Sequence, residues 1–118
     1  MNINIKIGCD IILKNRFLEL TQKKTVLNKI FTNYELAQSQ SLEKLIGVFA
    51  VKEATLKALE LQPGCWGMIE VIKQENGKPS IQLINYNGYK NIISQDISIS
   101  HDGEYVFAVA CFLINAER

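Results

Sequence analysis

The chain has 118 residues, 47% of them apolar and 21% charged, with a formal net charge of +1. That length supports one hydrophobic core and excludes two, so residues 1–118 are read as a single domain. A near-neutral balance excludes a global field drawing the protein to nucleic acid or an anionic membrane, and no apolar run reaches the ~20 residues that a bilayer-spanning helix needs.

The N-terminal stretch "NINIKIG" (2–8) alternates polar and apolar residues as a strand does, without a signal peptide's apolar centre, which points to the cytoplasm. Cys9 continues the apolar phase of Ile3, Ile5 and Ile7, and Cys111 lies in "YVFAVACFLI" (105–114). Both read as small core hydrophobes in a reducing compartment. Asp10 ends the strand ahead of "IILKNRFLEL" (11–20), where Leu13, Phe17 and Leu20 form a helical stripe; by position alone Asp10 is a helix N-cap. "TQKKTVLNKI" (21–30) fits a loop or a short helix. Thr32 and Glu35 form a capping box, which predicts a short helix from Asn33. The main helix spans roughly 42–61 and stops before "QPG". "MIEVIKQENGKPSIQLI" (68–84) predicts a hairpin with Asn76-Gly77 at its turn. Residues 85–94 are ambiguous, and "DISIS" (96–100) and "EYVFAVACFLI" (104–114) are two strands around "HDG". The fold class is α+β, a mainly antiparallel sheet packed on one long helix plus short helices.

Advancing ~100° per residue from Leu42 puts Ile46, Phe49 and Leu56 on one helix face, with Glu53 in its middle and Lys57 one turn further on. A carboxylate there is costly to bury alone. Either Glu53 pairs with Lys57 at i,i+4, or it shares a divalent cation with a second acid, for which Asp10 is the candidate. His101, the single histidine, sits in a polar cluster with Ser98, Ser100 and Asp102. One histidine and three scattered cysteines make a zinc site unexpected. The "NGKPS" stretch (76–80) is turn chemistry, with Lys78 able to meet a phosphate. Walker, G-x-G-x-x-G and hydrolase nucleophile motifs are missing.

Taken in order, "IGCDI" (7–11), "KIFTNYE" (29–35), "FAVKEATLKAL" (49–59), "NGKP" (76–79) and "SISHD" (98–102) resemble the holo-acyl-carrier-protein synthases. These are the small branch of the 4'-phosphopantetheinyl transferases, and the resemblance spans about residues 5–113. It implies transfer of the phosphopantetheine arm of coenzyme A to a serine of an acyl carrier protein, with release of adenosine 3',5'-bisphosphate. Asp10 and Glu53 would then hold Mg²⁺ on the coenzyme A pyrophosphate, and Lys57 would touch the phosphates or the transferring group. Lys52 would be a nearby coenzyme-contacting cation. Gly77, Lys78, Pro79, Ser100 and His101 would line the nucleotide pocket, and Arg16 would meet the acidic carrier. The proton of the attacking serine would pass to water, Asp10 or Glu53. Ile12 stands where longer relatives carry a third metal acid. A homotrimer with active sites between subunits is also implied, His101 being supplied by a neighbour.

Two departures from the family pattern stand out. Val48 replaces a basic residue before the K-E-A motif, and "LELQPGCWG" (59–67) replaces a G-T-G-I turn, bringing in Trp66 as a partner-stacking residue or a buried anchor. These departures motivate one alternative, a non-catalytic coenzyme A or nucleotide-binding relative. A second alternative is a structural oligomerisation module in which Glu53 is simply paired with Lys57.

Overall fold

The computed structural model describes residues 2–116. Five strands and four helices occur in the order β1 (Ile3–Leu13), α1 (Lys14–Leu20), α2 (Lys24–Ile30), α3 (Asn33–Gln38), α4 (Leu42–Ala58), β2 (Ile69–Lys73), β3 (Pro79–Leu83), β4 (Ile92–Asp102) and β5 (Tyr105–Asn115). β1, β5 and β4 form one antiparallel sheet in that order, and β2 and β3 form a separate hairpin.

β1 runs further than the alternation of its first residues predicts. Ile11 and Ile12 continue the ladder opposite Phe107 and Val106, as β-branched residues favour, so Asp10 is a strand residue opposite Ala108. It does not cap a helix: α1 begins only at Lys14, with Leu13 at its N-cap position. Of the predicted stripe, Phe17 is buried and Leu20 is exposed.

Directly paired residues share a face of an antiparallel sheet. The face of β5 carrying Val106, Ala108, Ala110, Phe112 and Ile114 is buried, and α4 packs across it. Pairing therefore turns Gly8, Asp10 and Ile12 toward α4. Gly8 is what lets the helix come so near: a Cβ there would lie 2.1 Å from the Ala54 carbonyl oxygen and 2.6 Å from the Ala58 nitrogen. Any side chain at this position would drive β1 and α4 apart.

The opposite face of β1 presents Ile3, Ile5, Ile7, Cys9 and Ile11 outward, with Ile5 69%, Ile7 65% and Ile11 60% exposed. Cys9 is exposed and Cys111 half-buried on this face, so neither is the core residue its phase suggests. The strand is apolar on its outer face, and among the described residues nothing covers Ile5, Ile7 and Ile11.

α4 starts at the Ser41 cap, whose side chain accepts from the Lys44 N–H, and ends at Ala58, earlier than expected. Glu60 enters the left-handed region (φ 57°) and the chain turns away before the Pro-Gly pair. The helix is buried on most of its circumference, because α3, β2 and the turn after it cover the side away from the large sheet. Leu42 is exposed at its first turn, while Ile46, Phe49 and Leu56 are buried as the periodicity predicts.

The predicted capping box is present and extends beyond α3. The Thr32 hydroxyl accepts from the Glu35 N–H, and the Glu35 carboxylate accepts from the Thr32 N–H at 2.8 Å. Glu35 is buried, and its carboxylate also takes the Val71 N–H at 2.7 Å and the Lys52 ammonium at 2.8 Å. Lys52 donates in addition to the Ile30 carbonyl at 2.6 Å. One buried ion pair thus ties α2, α3, α4 and β2 together.

The β2–β3 turn forms as predicted. Gly77 takes φ 86° and donates to the Gln74 carbonyl, while the Lys78 N–H reaches the Asn76 side chain at 2.9 Å. Across to β4, the Gln95 amide acts as a substitute strand. Its Oε1 accepts from the Ile81 N–H at 2.6 Å and its Nε2 donates to the Ile81 carbonyl at 3.0 Å, joining the hairpin to the large sheet. The ambiguous segment is irregular from residue 84 to 91, and the final β4–β5 hairpin turns at Gly103 (φ 57°).

Candidate active site

The close approach of β1 and α4 decides where the two suspect acids lie. Asp10, two residues beyond Gly8 on the same face, meets Lys57 from the last turn of α4. The Lys57 Nζ donates to the Asp10 Oδ1 at 2.9 Å and to the Cys9 carbonyl at 3.1 Å. The Asp10 side chain keeps 18% of its exposure, and Lys57, at 58%, extends over it from solvent. The Asp10 carboxylate holds the Lys57 ammonium above the ordinary lysine range.

Glu53 does not pair with Lys57: among the described residues no ion pair joins them, and Lys57 is given to Asp10. Instead the indole Nε1–H of Trp66 donates to the Glu53 Oε1 at 3.2 Å. Burial pushes the Glu53 carboxyl above the usual carboxylate range; the Trp66 N–H draws it back, the Asp10 charge raises it further and Lys57 opposes that. Both acids line one open cleft of about 610 Å³, together with Arg16, Glu19, Phe17 and Phe49. A larger cavity of about 930 Å³ lies just beyond the C-terminal end of α4, between residues 59–61 and 87–91, and contains none of the expected site residues.

The donor set fits a hard divalent cation. Two carboxylates from different elements face the same cleft, and the Asp10 charge disfavours ionisation of Glu53 unless a cation intervenes. Among the described residues no cluster of three or more His, Cys, Asp or Glu occurs, so water and substrate oxygens would complete such a shell.

The other expected site residues are spread over the chain. His101 lies on β4 with its Nδ1 3.1 Å from the Glu43 Oε1, in the first turn of α4 and about 15 Å along the helix from Glu53. Ser100 points to the outer face of the sheet beside Phe107. Gly77 and Lys78 lie in the hairpin turn and Pro79 opens β3 after it; the Lys78 ammonium is paired with Asp96. Lys52, expected as a coenzyme-contacting cation, has its ammonium buried on Glu35 and Ile30 and does not line the cleft. Arg16, by contrast, is exposed on α1 at the cleft wall. Trp66 is the site residue that spacing misses, since nothing local relates it to Glu53. Gly8 did carry a signal, a glycine inside a strand pattern.

The profile of the 4'-phosphopantetheinyl transferase superfamily matches residues 6–110 of the chain. A holo-[acyl-carrier-protein] synthase of Thermodesulfovibrio yellowstonii is 37% identical over 109 residues, 86% of this chain and 92% of that protein. The chain belongs to this family. Among solved structures, Helicobacter pylori holo-[acyl-carrier-protein] synthase in complex with coenzyme A is similar with a TM-score of 0.77 at 28% identity, covering 90% of this chain and 98% of that one. A Chronobacterium ammoniagenes ACPS–CoA complex shares the fold at TM-score 0.82 and 24% identity, over 95% and 98% of the two chains. The α+β fold read from the sequence is that of the family. Within it, Val48, at the position where a basic residue is usual, packs partly buried against the core.

Proposed function

We propose that this chain transfers the 4'-phosphopantetheine arm of coenzyme A to a serine of an apo-acyl carrier protein, in a Mg²⁺-dependent reaction that releases adenosine 3',5'-bisphosphate. The observation that carries the proposal is the convergence of Asp10 and Glu53, 43 positions apart, on one cleft with Lys57 held at its edge. The serine oxygen forms a bond to the β-phosphorus as the bond to the leaving bisphosphate breaks, and the hydroxyl proton passes to a cleft carboxylate or water. Mg²⁺ held by Asp10 and Glu53 would neutralise charge on the pyrophosphate. Lys57, exposed and fully cationic, meets the negative charge of the departing phosphate.

The same reading favours self-association. The outer face of β1 and β5 exposes Ile5, Ile7, Ile11, Tyr105 and Phe107 as one apolar surface, of the kind that marks a protein–protein interface. A closed ring of three chains covers it and lets a neighbour bring His101, Ser100 and the turn at Gly77–Pro79 to the Asp10–Glu53 cleft. A native mass of three chains checks this; a stable monomer with full activity overturns it. No described helix is long and apolar enough to cross a membrane, and the reaction belongs in the cytoplasm with its carrier.

Charge is unevenly placed. Between residues 14 and 29 the chain carries Lys14, Arg16, Lys23, Lys24 and Lys29 against Glu19 alone, so α1 and α2 offer an acidic carrier a local field that the net charge conceals. Arg16→Ala therefore raises the carrier KM about five-fold, the size of one screened charge contact of roughly 1 kcal/mol, leaves kcat nearly unchanged and flattens the salt dependence of kcat/KM.

Incubation with coenzyme A, Mg²⁺ and several apo carrier proteins, followed by mass measurement of the carriers, tests the proposal. A gain of one phosphopantetheine on a carrier supports it. Tight coenzyme binding with no gain on any carrier establishes the non-catalytic alternative.

A further inference from the structure

We infer that Trp66 is a positioning residue for the metal-binding carboxylate of Glu53. The inference rests on the reading of Glu53 as a metal ligand and adds the group that orients it. Trp66 opens a short 3-10 turn, Trp66–Met68, which folds back against α4 after the chain reverses through left-handed Glu60 and Gly64. Its ring is half-buried and tilted against Phe49 at 6.4 Å, and Phe49 in turn packs on Phe17 and Phe31. Phe49 lies one turn before Glu53, so a single packed aromatic row sets both the ring and the direction of its N–H.

The chemistry of the donor matters. An indole N–H can only donate and carries no charge, so it fixes a carboxylate rotamer without cancelling the negative charge that a cation needs. The two acids are divided accordingly. Asp10 is held by the cationic Lys57, whereas Glu53 is held by a neutral donor on Oε1, which leaves Oε2 for a ligand. A lysine on Glu53 would compete with the metal for the same charge; the indole does not. This arrangement gives a fixed first ligand at little cost in metal affinity, the usual service of a hydrogen bond behind a ligating carboxylate.

Trp66→Phe keeps an aromatic ring, smaller than the indole, beside Phe49 and removes the donor. Calorimetric titration of Mg²⁺ into the protein saturated with coenzyme A reads the outcome. The variant binds Mg²⁺ at least about ten-fold more weakly than the native chain, with coenzyme binding in the absence of metal unchanged. Equal Mg²⁺ affinity in the two proteins overturns the inference, since a purely structural Trp66 is satisfied by phenylalanine. Glu53→Gln separates this from the underlying reading: if that variant also binds Mg²⁺ normally, Glu53 is not a ligand and the metal assignment itself fails. Trp66 is the only tryptophan in the sequence, so the unaltered protein supplies a second measurement that needs no folded variant. Mg²⁺ added to the coenzyme-saturated native protein changes the indole fluorescence as the Glu53 charge is taken up. A native protein that binds Mg²⁺ with no change in that fluorescence overturns the inference.

Discussion

Glu53→Gln lowers transfer to the carrier at least about a hundred-fold while leaving the folded protein as stable as before, or more so. Groups that merely support a metal ligand are worth 10- to 100-fold in affinity or activity, and a ligand itself is worth no less. The stability half of the prediction follows from the sign of the Glu53 shift. Burial and the Asp10 charge raise its carboxyl above the unfolded value, beyond what Trp66 and Lys57 offset. In the window between the unfolded and the folded pKa the native state holds more protons, so stability from this group falls as pH rises. Above the folded pKa the penalty is complete. Glutamine accepts the same Trp66 hydrogen bond and carries no charge, which removes the penalty. Thermal melts against pH show a decline through the carboxylate range that is present in the native chain and reduced in the variant. Mg²⁺ should then raise the melting temperature of the native chain alone, because only that chain gains a cation for its acid. A variant with near-native turnover overturns the metal assignment.

Lys52→Met costs about 3–5 kcal/mol of stability, the range for removing one partner of a buried ion pair, against a total of roughly 5–15 kcal/mol for a domain of this kind. Burial pushes the Lys52 ammonium below its ordinary value, and the Glu35 carboxylate opposes that. Without the ammonium, the Glu35 carboxylate is left buried among the Thr32 and Val71 N–H groups with no counter-charge. Urea denaturation measures the loss. The double variant Glu35→Gln/Lys52→Met recovers only part of it: both charges leave together, but the glutamine NH₂ cannot accept, so one of the Thr32 and Val71 N–H groups loses its acceptor. The protein that still folds keeps its native KM for coenzyme A, since the Lys52 ammonium is buried on Glu35 and Ile30 and does not line the cleft. A raised KM with an unchanged denaturation midpoint would instead restore the coenzyme contact that the motif implies.

The two variants also mark how far the primary structure could be read. Its local signals held where a few neighbouring residues settle the conformation: the period-two run that opens β1, the Thr32–Glu35 box, the glycine turn at 77 and the long helix from Leu42. The family motifs also named Asp10, Glu53 and Lys57, and the fold brings these three together. The faces of β1 were another matter. Alternation separates Ile3, Ile5, Ile7 and Cys9 from Gly8 and Asp10, but it does not say which set faces the helix. The apolar set turned outward because α4 can close only over Gly8.

Chain order and side-chain type by themselves determined the elements, the family and the acids of the cleft, because backbone preference and motif spacing are properties of nearby residues. Tertiary structure alone decided the partners: Lys57 with Asp10, Lys52 with Glu35, Trp66 with Glu53. A charge or donor takes whichever group packing brings within about 3 Å, and that choice among distant residues is made by the closure of helix on sheet.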